Sequence, residues 1–145
     1  RVLSAFDKFV DVKSKSDLEI SKLSRELKID IAVDLMGFTK NNRFGIFVER
    51  CAPIQVNYLG DPGTMGSNYI DYIVSDKVLV PKENQKNYSE KIVYLPNTHQ
   101  VNDSIKKISN KIFTREELGL PESGFVFCSF SQSGFWAMAL ETILT

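Results

Sequence analysis

Three glycines, a proline and a threonine fall together in the run Gly60-Asp61-Pro62-Gly63-Thr64-Met65-Gly66. Glycine tolerates φ > 0 and lets a ligand come close to the backbone, Pro62 stiffens the turn, and backbone N–H groups with the Thr64 hydroxyl could hold anionic or sugar oxygens. The same residues also make a tight turn that binds nothing, and their local chemistry does not separate the two. The run lacks the Gly-Lys-Ser/Thr ending of a phosphate loop and the Gly-x-Gly-x-x-Gly spacing of a dinucleotide site, which argues against a P-loop ATPase or an ordinary dehydrogenase.

Asp34, Gly37 and Thr39 form a second candidate set. Asp34 lies near a strand end, where a carboxylate reaches a ligand as hydrogen-bond acceptor or base, or simply caps the following turn. Gln55 and Asn57 are polar within an otherwise apolar strand, so they either line a crevice or mark an exposed sheet face. His99, the sole histidine, follows Pro96-Asn97-Thr98 just past another strand; a lone loop histidine of this kind is expected to be solvated.

These residues are positioned by an alternating pattern. Ser16 and Glu19 make a capping-box pair, and Ile20, Leu23 and Leu27 recur at helical spacing, predicting a helix over 17–27. Residues 29–35 alternate β-branched and polar side chains and end at Gly37, a strand. Residues 41–50 place Phe44, Phe47, Val48 and Cys51 on one helical face, and Pro53 separates that helix from an apolar strand over 54–59. Further strands are expected at 70–75 and 91–95, with a short helix at 82–88 behind Pro81. Such alternation implies an α/β fold with a Rossmann-like, mainly parallel sheet flanked by helices. The link from Leu59 to Ile70 is short for a parallel crossover and must be a compact loop or single turn. In such a sheet the ligand crevice lies beyond the carboxyl ends of the strands, after Leu35, Leu59, Ser75 and Leu95.

Residues 97–113 are polar, carry Lys106, Lys107 and Lys111, and read as a linker. Thr114 and Glu117 form a second capping box, with Gly119 and Pro121 ending a short helix. Residues 125–130 are a new apolar strand, taken as the start of a second domain. The divisions expected are 1–103, a linker with a short helix at 104–124, and 125–145.

The 145 residues, 43% of them hydrophobic, suffice for one ordinary core or parts of two. Lys+Arg and Asp+Glu are both 18, so no basic field gathers nucleic acid. Cys51 and Cys128 sit far apart in apolar settings and read as reduced core thiols, with no zinc or other metal site expected. No apolar run reaches the ~18 residues of a membrane helix and no signal pattern opens the chain, so a cytoplasmic setting is expected. The chain starts without methionine and stops within a helical pattern, so both ends are expected to be cut.

The run Ala52-Pro53-Ile54-Gln55-Val56-Asn57-Tyr58-Leu59-Gly60-Asp61-Pro62-Gly63-Thr64-Met65-Gly66, followed by Tyr69-Ile70-Asp71-Tyr72-Ile73, resembles the catalytic region of O-linked N-acetylglucosamine transferases, especially bacterial members carrying tetratricopeptide repeats. The likeness extends through residues 29–39, 88–97 and 113–121. It implies an inverting, metal-independent glycosyltransferase of the two-lobe GT-B type, moving N-acetylglucosamine from UDP-GlcNAc to Ser or Thr hydroxyls of a protein acceptor. On that likeness residues 1–103 are the latter part of the N-terminal lobe, residue 125 begins the C-terminal lobe, and tetratricopeptide repeats lie upstream. It further implies that Asp34, Gly37, Thr39, Gln55, Gly60, Pro62, Gly63, Thr64, Gly66, Asn97 and Gln132 line the cleft, without naming a base. Phe135 stands where these relatives carry a lysine that contacts the nucleotide diphosphate. That substitution leaves two expectations: a segment inactive by itself, or a non-catalytic binding module of the same fold.

Overall fold

The computed structural model describes residues 5–126, and its contacts divide the chain into two units, Arg1–Asp103 and Ser104–Thr145. In the first unit α1 spans Asp17–Glu26. The Ser16 hydroxyl accepts the Glu19 N–H at 3.3 Å while the Glu19 carboxylate accepts the Ser16 N–H at 2.7 Å, completing the capping box. Those bonds from Ser16 lower the Glu19 pKa. The helix stops one residue earlier than its periodicity predicts because Lys28 takes φ +57. Its N–H then bonds Arg25 O at 3.0 Å, and the Ile29 N–H bonds Ser24 O at 3.2 Å, the crossed pair that closes a helix at a left-handed residue.

Four parallel strands follow in the order β1 (Ile31–Asp34), β2 (Ile54–Asn57), β3 (Tyr72–Ser75) and β4 (Lys91–Tyr94). Each is shorter than its apolar pattern suggests, for reasons visible at the ends. β1 stops where Asp34 Oδ1 accepts the Met36 N–H at 2.9 Å and turns the chain. β2 stops where Leu59 swings to φ +79. The helix expected over 41–50 contracts to α2, Gly45–Val48, since Asn41 and Arg50 on either side both adopt left-handed φ. The segment behind Pro81 is a 3₁₀ helix, Lys82–Asn87.

The link from β2 to β3 contains no helix and still closes a parallel pair. It does so by burying its own side chains: Met65 and Ile70 join Phe47 and Cys51 in the core, with Phe44, Ile46 and Tyr69 packed alongside. Val48, expected on the same face, is half exposed. Arg50 anchors this link, reaching both Asp71 carboxylate oxygens at 2.8 and 2.7 Å and Tyr69 O at 3.1 Å. Burial raises the Asp71 pKa, but the bonds from Arg50 and the Gln55 N–H outweigh it, and the net shift is downward. The Cys51 thiol is free and buried, and burial raises its pKa.

In-register parallel pairing sets Asp34 beside Asn57 and Asn57 beside Ile73. The face bearing Gln55, Asn57, Ile73 and Ser75 is buried, whereas Ile31, Val33, Ile54 and Val93 on the opposite face are exposed.

In the second unit the Thr114 and Glu117 capping bonds form at 2.9 and 3.1 Å, but the expected helix is a single turn closed by Gly119 at φ +65. Residues 97–113 carry no helix or strand, as their composition suggests. Phe125 and Val126 are not in a strand; the rest of the expected 125–130 strand, Cys128, Gln132 and Phe135 lie outside the described residues. Among the described residues no helix is long and apolar enough to cross a membrane.

Candidate functional site

The carboxyl ends of β1 and β2 bring the two sequence motifs together. The turn after β1 passes so close to Gly60 that a Cβ there would overlap the Leu35 carbonyl and lie 2.8 Å from Met36 Cα. Gly37, at φ +58, meets the same loop from the other side, where its Cβ would stand 2.7 Å from Asp61 Cβ. Both glycines are therefore required by loop-on-loop packing. Gly63 is different: its φ is not left-handed and its Cβ would meet only Asp61 Oδ1, at 3.2 Å. All three loop glycines permit φ > 0, but Gly66 alone among them adopts it, and Leu59 supplies the other left-handed turn.

The loop is held from beneath by Asn57, which is fully buried and donates from Nδ2 to Asp61 O at 3.1 Å and Gly63 O at 3.3 Å. From the side it is clasped by Glu90. Its carboxylate accepts the Thr64 hydroxyl and the Met65 N–H, each at 2.6 Å. Thr64 Oγ1 in turn accepts the Gly66 N–H at 3.0 Å and the Ser89 N–H at 3.3 Å. The Tyr88 hydroxyl donates to Pro62 O at 3.2 Å, and burial raises the Tyr88 pKa, aided by the nearby Glu90 charge. The donors thought available for a ligand are thus largely consumed inside the loop. Among residues 60–66 the Asp61 and Thr64 N–H groups keep no protein acceptor.

Gln55 stands apart from the crevice. It is fully buried, its Oε1 accepting the Cys51 N–H at 2.8 Å and the thiol at 3.2 Å and its Nε2 donating to the Phe47 and Tyr69 carbonyls. Neither reading of its polarity, crevice wall or exposed face, describes it; it is a buried connector. Asn57 likewise is on no exposed face. Asp34, also buried, caps Met36 with Oδ1 while its Oδ2 has no protein partner. Asn57 Oδ1 and Thr39 Oγ1 are buried without partners as well. The Asp34 and Asn57 atoms sit at adjoining strand ends and Thr39 in the loop that follows β1, and unpartnered groups of this kind suit the hydroxyl or amide donors of a ligand. Asn97 is exposed beyond β4.

Sequence reasoning missed a further pair. Asp76, the first residue beyond β3, accepts the Leu79 N–H at 2.8 Å, the His99 N–H at 2.8 Å and the Val78 N–H at 2.9 Å. His99 Nδ1 lies 3.3 Å from Asp76 Oδ2, and its carbonyl accepts the Tyr58 hydroxyl at 2.8 Å. The Leu79 and His99 N–H bonds draw the Asp76 pKa down to about 2. His99 is therefore largely enclosed, with 18% of its side chain exposed, rather than solvated. The available signal was positional: Asp76 directly follows the Ser75 strand end. Nothing comparable in the sequence marks Glu90.

Comparison with known proteins identifies a family and a fold. The sequence profile described as "Glycosyl transferase family 41" matches residues 1–110. A probable UDP-N-acetylglucosamine--peptide N-acetylglucosaminyltransferase SEC from Arabidopsis thaliana is 42% identical over 137 residues, 91% of this chain and 14% of the relative. A Caenorhabditis elegans UDP-N-acetylglucosamine--peptide N-acetylglucosaminyltransferase is 35% identical over 92 residues, 61% of this chain and 8% of the relative. A solved structure of a Thermobaculum terrenum O-GlcNAc transferase mutant superposes with a TM-score of 0.65 at 34% identity, covering 68% of this chain and 19% of its own. The chain thus spans a small part of the length of the proteins it matches. Its match over residues 1–110, carried on a parallel sheet with polar carboxyl ends, makes it a member of glycosyl transferase family 41.

Proposed function

We propose that a longer protein containing this chain transfers N-acetylglucosamine from UDP-GlcNAc to Ser or Thr hydroxyls of protein acceptors, by inversion and without a metal ion. The observation that carries this reading is the family match over residues 1–110, which spans both crevice loops. In this reading Arg1–Asp103 is the latter part of an N-terminal lobe of a GT-B enzyme. Residues 104–124 link it to a C-terminal lobe beginning near residue 125, and tetratricopeptide repeats precede the whole, as in cytoplasmic bacterial members. Asp34, Thr39 and Asn57 supply acceptor atoms at the cleft floor, and the Glu90-braced loop supplies the Asp61 and Thr64 N–H groups. Bond formation at the sugar requires both reactants held in one geometry, which a rigid loop serves better than a mobile one.

The test is transfer of radiolabelled N-acetylglucosamine from UDP-GlcNAc to a Ser/Thr peptide. The longer protein transfers label and the 145-residue chain alone does not. A second reading rests on Phe135: an apolar ring where relatives place a lysine cannot neutralise a diphosphate, as a non-catalytic binding module would tolerate. A folded longer protein that binds UDP-GlcNAc or peptide but transfers no label selects that reading.

A further inference from the structure

We infer that His99 is a ligand-contacting residue of the crevice, accepting a hydrogen bond from a ligand hydroxyl through Nε2, and that Asp76 is its positioning residue. The inference rests on the transferase reading above for the identity of the ligand, and on geometry for the rest. His99 follows β4 and Asp76 follows β3, so both lie at the carboxyl ends of the sheet, the side on which α/β crevices form. Asp76 holds His99 twice, by its N–H at 2.8 Å and by Nδ1 at 3.3 Å. Tyr58, just past β2, fixes the same residue by donating its hydroxyl to the His99 carbonyl. Residues at three strand ends therefore meet at His99, two of its bonds falling on its backbone and one, from Asp76, on its ring.

The consequence for the ring is chemical. An ionised carboxylate beside Nδ1 favours the proton on that nitrogen, which leaves Nε2 with its lone pair. Nε2 has no hydrogen-bond partner among the described residues, while part of the side chain is open to solvent. A largely enclosed histidine, held at its backbone and at Nδ1 and with one unpartnered acceptor nitrogen, suits a hydroxyl donor: a ribose or sugar hydroxyl of a nucleotide sugar, or the Ser/Thr hydroxyl of the acceptor. Asp76 and Tyr58 are the titratable groups that contact it among the described residues.

The experiment has two arms. In the 145-residue chain, whose only histidine is His99, imidazole nitrogen NMR reads the tautomer directly. The Nδ1–H form is expected in the wild type, and Asp76→Asn is expected to lose that preference. A wild-type ring in the Nε2–H form overturns the inference. In the longer protein His99→Phe is expected to lower kcat/KM about tenfold, the scale of one lost hydrogen bond, with His99→Gln retaining more activity than His99→Phe. A rise in KM confined to UDP-GlcNAc assigns the hydroxyl to the donor, and one confined to the peptide assigns it to the acceptor. An active longer protein whose folded His99→Phe variant keeps wild-type kcat/KM sinks this inference alone. A longer protein that turns over no UDP-GlcNAc sinks the transferase reading and this inference with it.

Discussion

Glu90 accepts the Thr64 hydroxyl at 2.6 Å across 26 residues of sequence, so the loop that most resembles a ligand cradle is fastened by a carboxylate lying just ahead of β4. The same carboxylate takes the Met65 N–H at 2.6 Å, and both bonds are shielded, Glu90 being almost fully buried. Charge-assisted bonds to a buried carboxylate are the stronger kind. Glu90→Ala strips both and leaves the Met65 N–H buried without an acceptor, with an expected cost of about 2–4 kcal/mol in urea unfolding. Glu90→Gln keeps one acceptor oxygen and is expected to lose less than half as much. Equal losses for the two variants would show that shape, and not the carboxylate, braces the loop.

The glycines of the same loop should divide sharply. Gly60→Ala drives a Cβ into the Leu35 carbonyl and Met36 backbone, where neither neighbour is a flexible side-chain tip. An overpacking cost of about 1–3 kcal/mol is expected, read from the urea midpoint. Gly63→Ala meets only Asp61 Oδ1 at 3.2 Å, which can give way, and should change stability by less than about 0.5 kcal/mol. A Gly63→Ala penalty as large as that of Gly60→Ala would contradict the placement of the two residues.

How much of this was legible beforehand follows from the range of the forces involved. The α1 capping box and four of the strands are local features, set by side chains a few residues apart, and sequence pattern located them. The end of β2 and both ends of α2 were overestimated because Leu59, Asn41 and Arg50 adopt left-handed φ, with no glycine to announce it. The loops after β1 and β2 were placed by topology at one end of the sheet, where the structure packs them together. The side-chain partners were not, since Glu90–Thr64 and Asp76–His99 join residues more than 20 positions apart and nothing local distinguishes a buried carboxylate from a solvated one. Gln55 shows the reverse error: a polar residue in an apolar strand suggested a ligand, but its amide is saturated by the Cys51, Phe47 and Tyr69 groups of the core.

One change should stabilise the chain. Lys28 occupies the left-handed position that ends α1, at φ +57, and its exposed side chain makes no hydrogen bond or ion pair. Left-handed φ costs a residue with a Cβ about 1–2 kcal/mol relative to glycine, partly offset by the greater freedom of glycine in the unfolded chain. Lys28→Gly is expected to raise stability by about 0.5–1 kcal/mol at unchanged denaturant dependence. A lower unfolding midpoint would mean that the lysine stem contributes packing that outweighs its strained backbone.

Asp76 should give the fold a specific acid response. Its pKa stands at about 2 in the folded chain, drawn down first by the Leu79 N–H and then by the His99 N–H, against an ordinary value of 3.8 when unfolded. Because the folded value is the lower one, the folded state binds fewer protons between the two, and its contribution is complete above about pH 4. It fades as pH falls from there towards 2, where the carboxyl becomes protonated in the folded state as well. Asp76→Asn should therefore be less stable than wild type at pH 6 and approach it as pH is lowered to 2. Urea midpoints of the two proteins at pH 2, 3, 4 and 6 measure this convergence. A gap that stays constant across the series would place the cause in the shape of the Asp76 turn, and a gap that widens towards pH 2 would reverse the assigned direction of the shift.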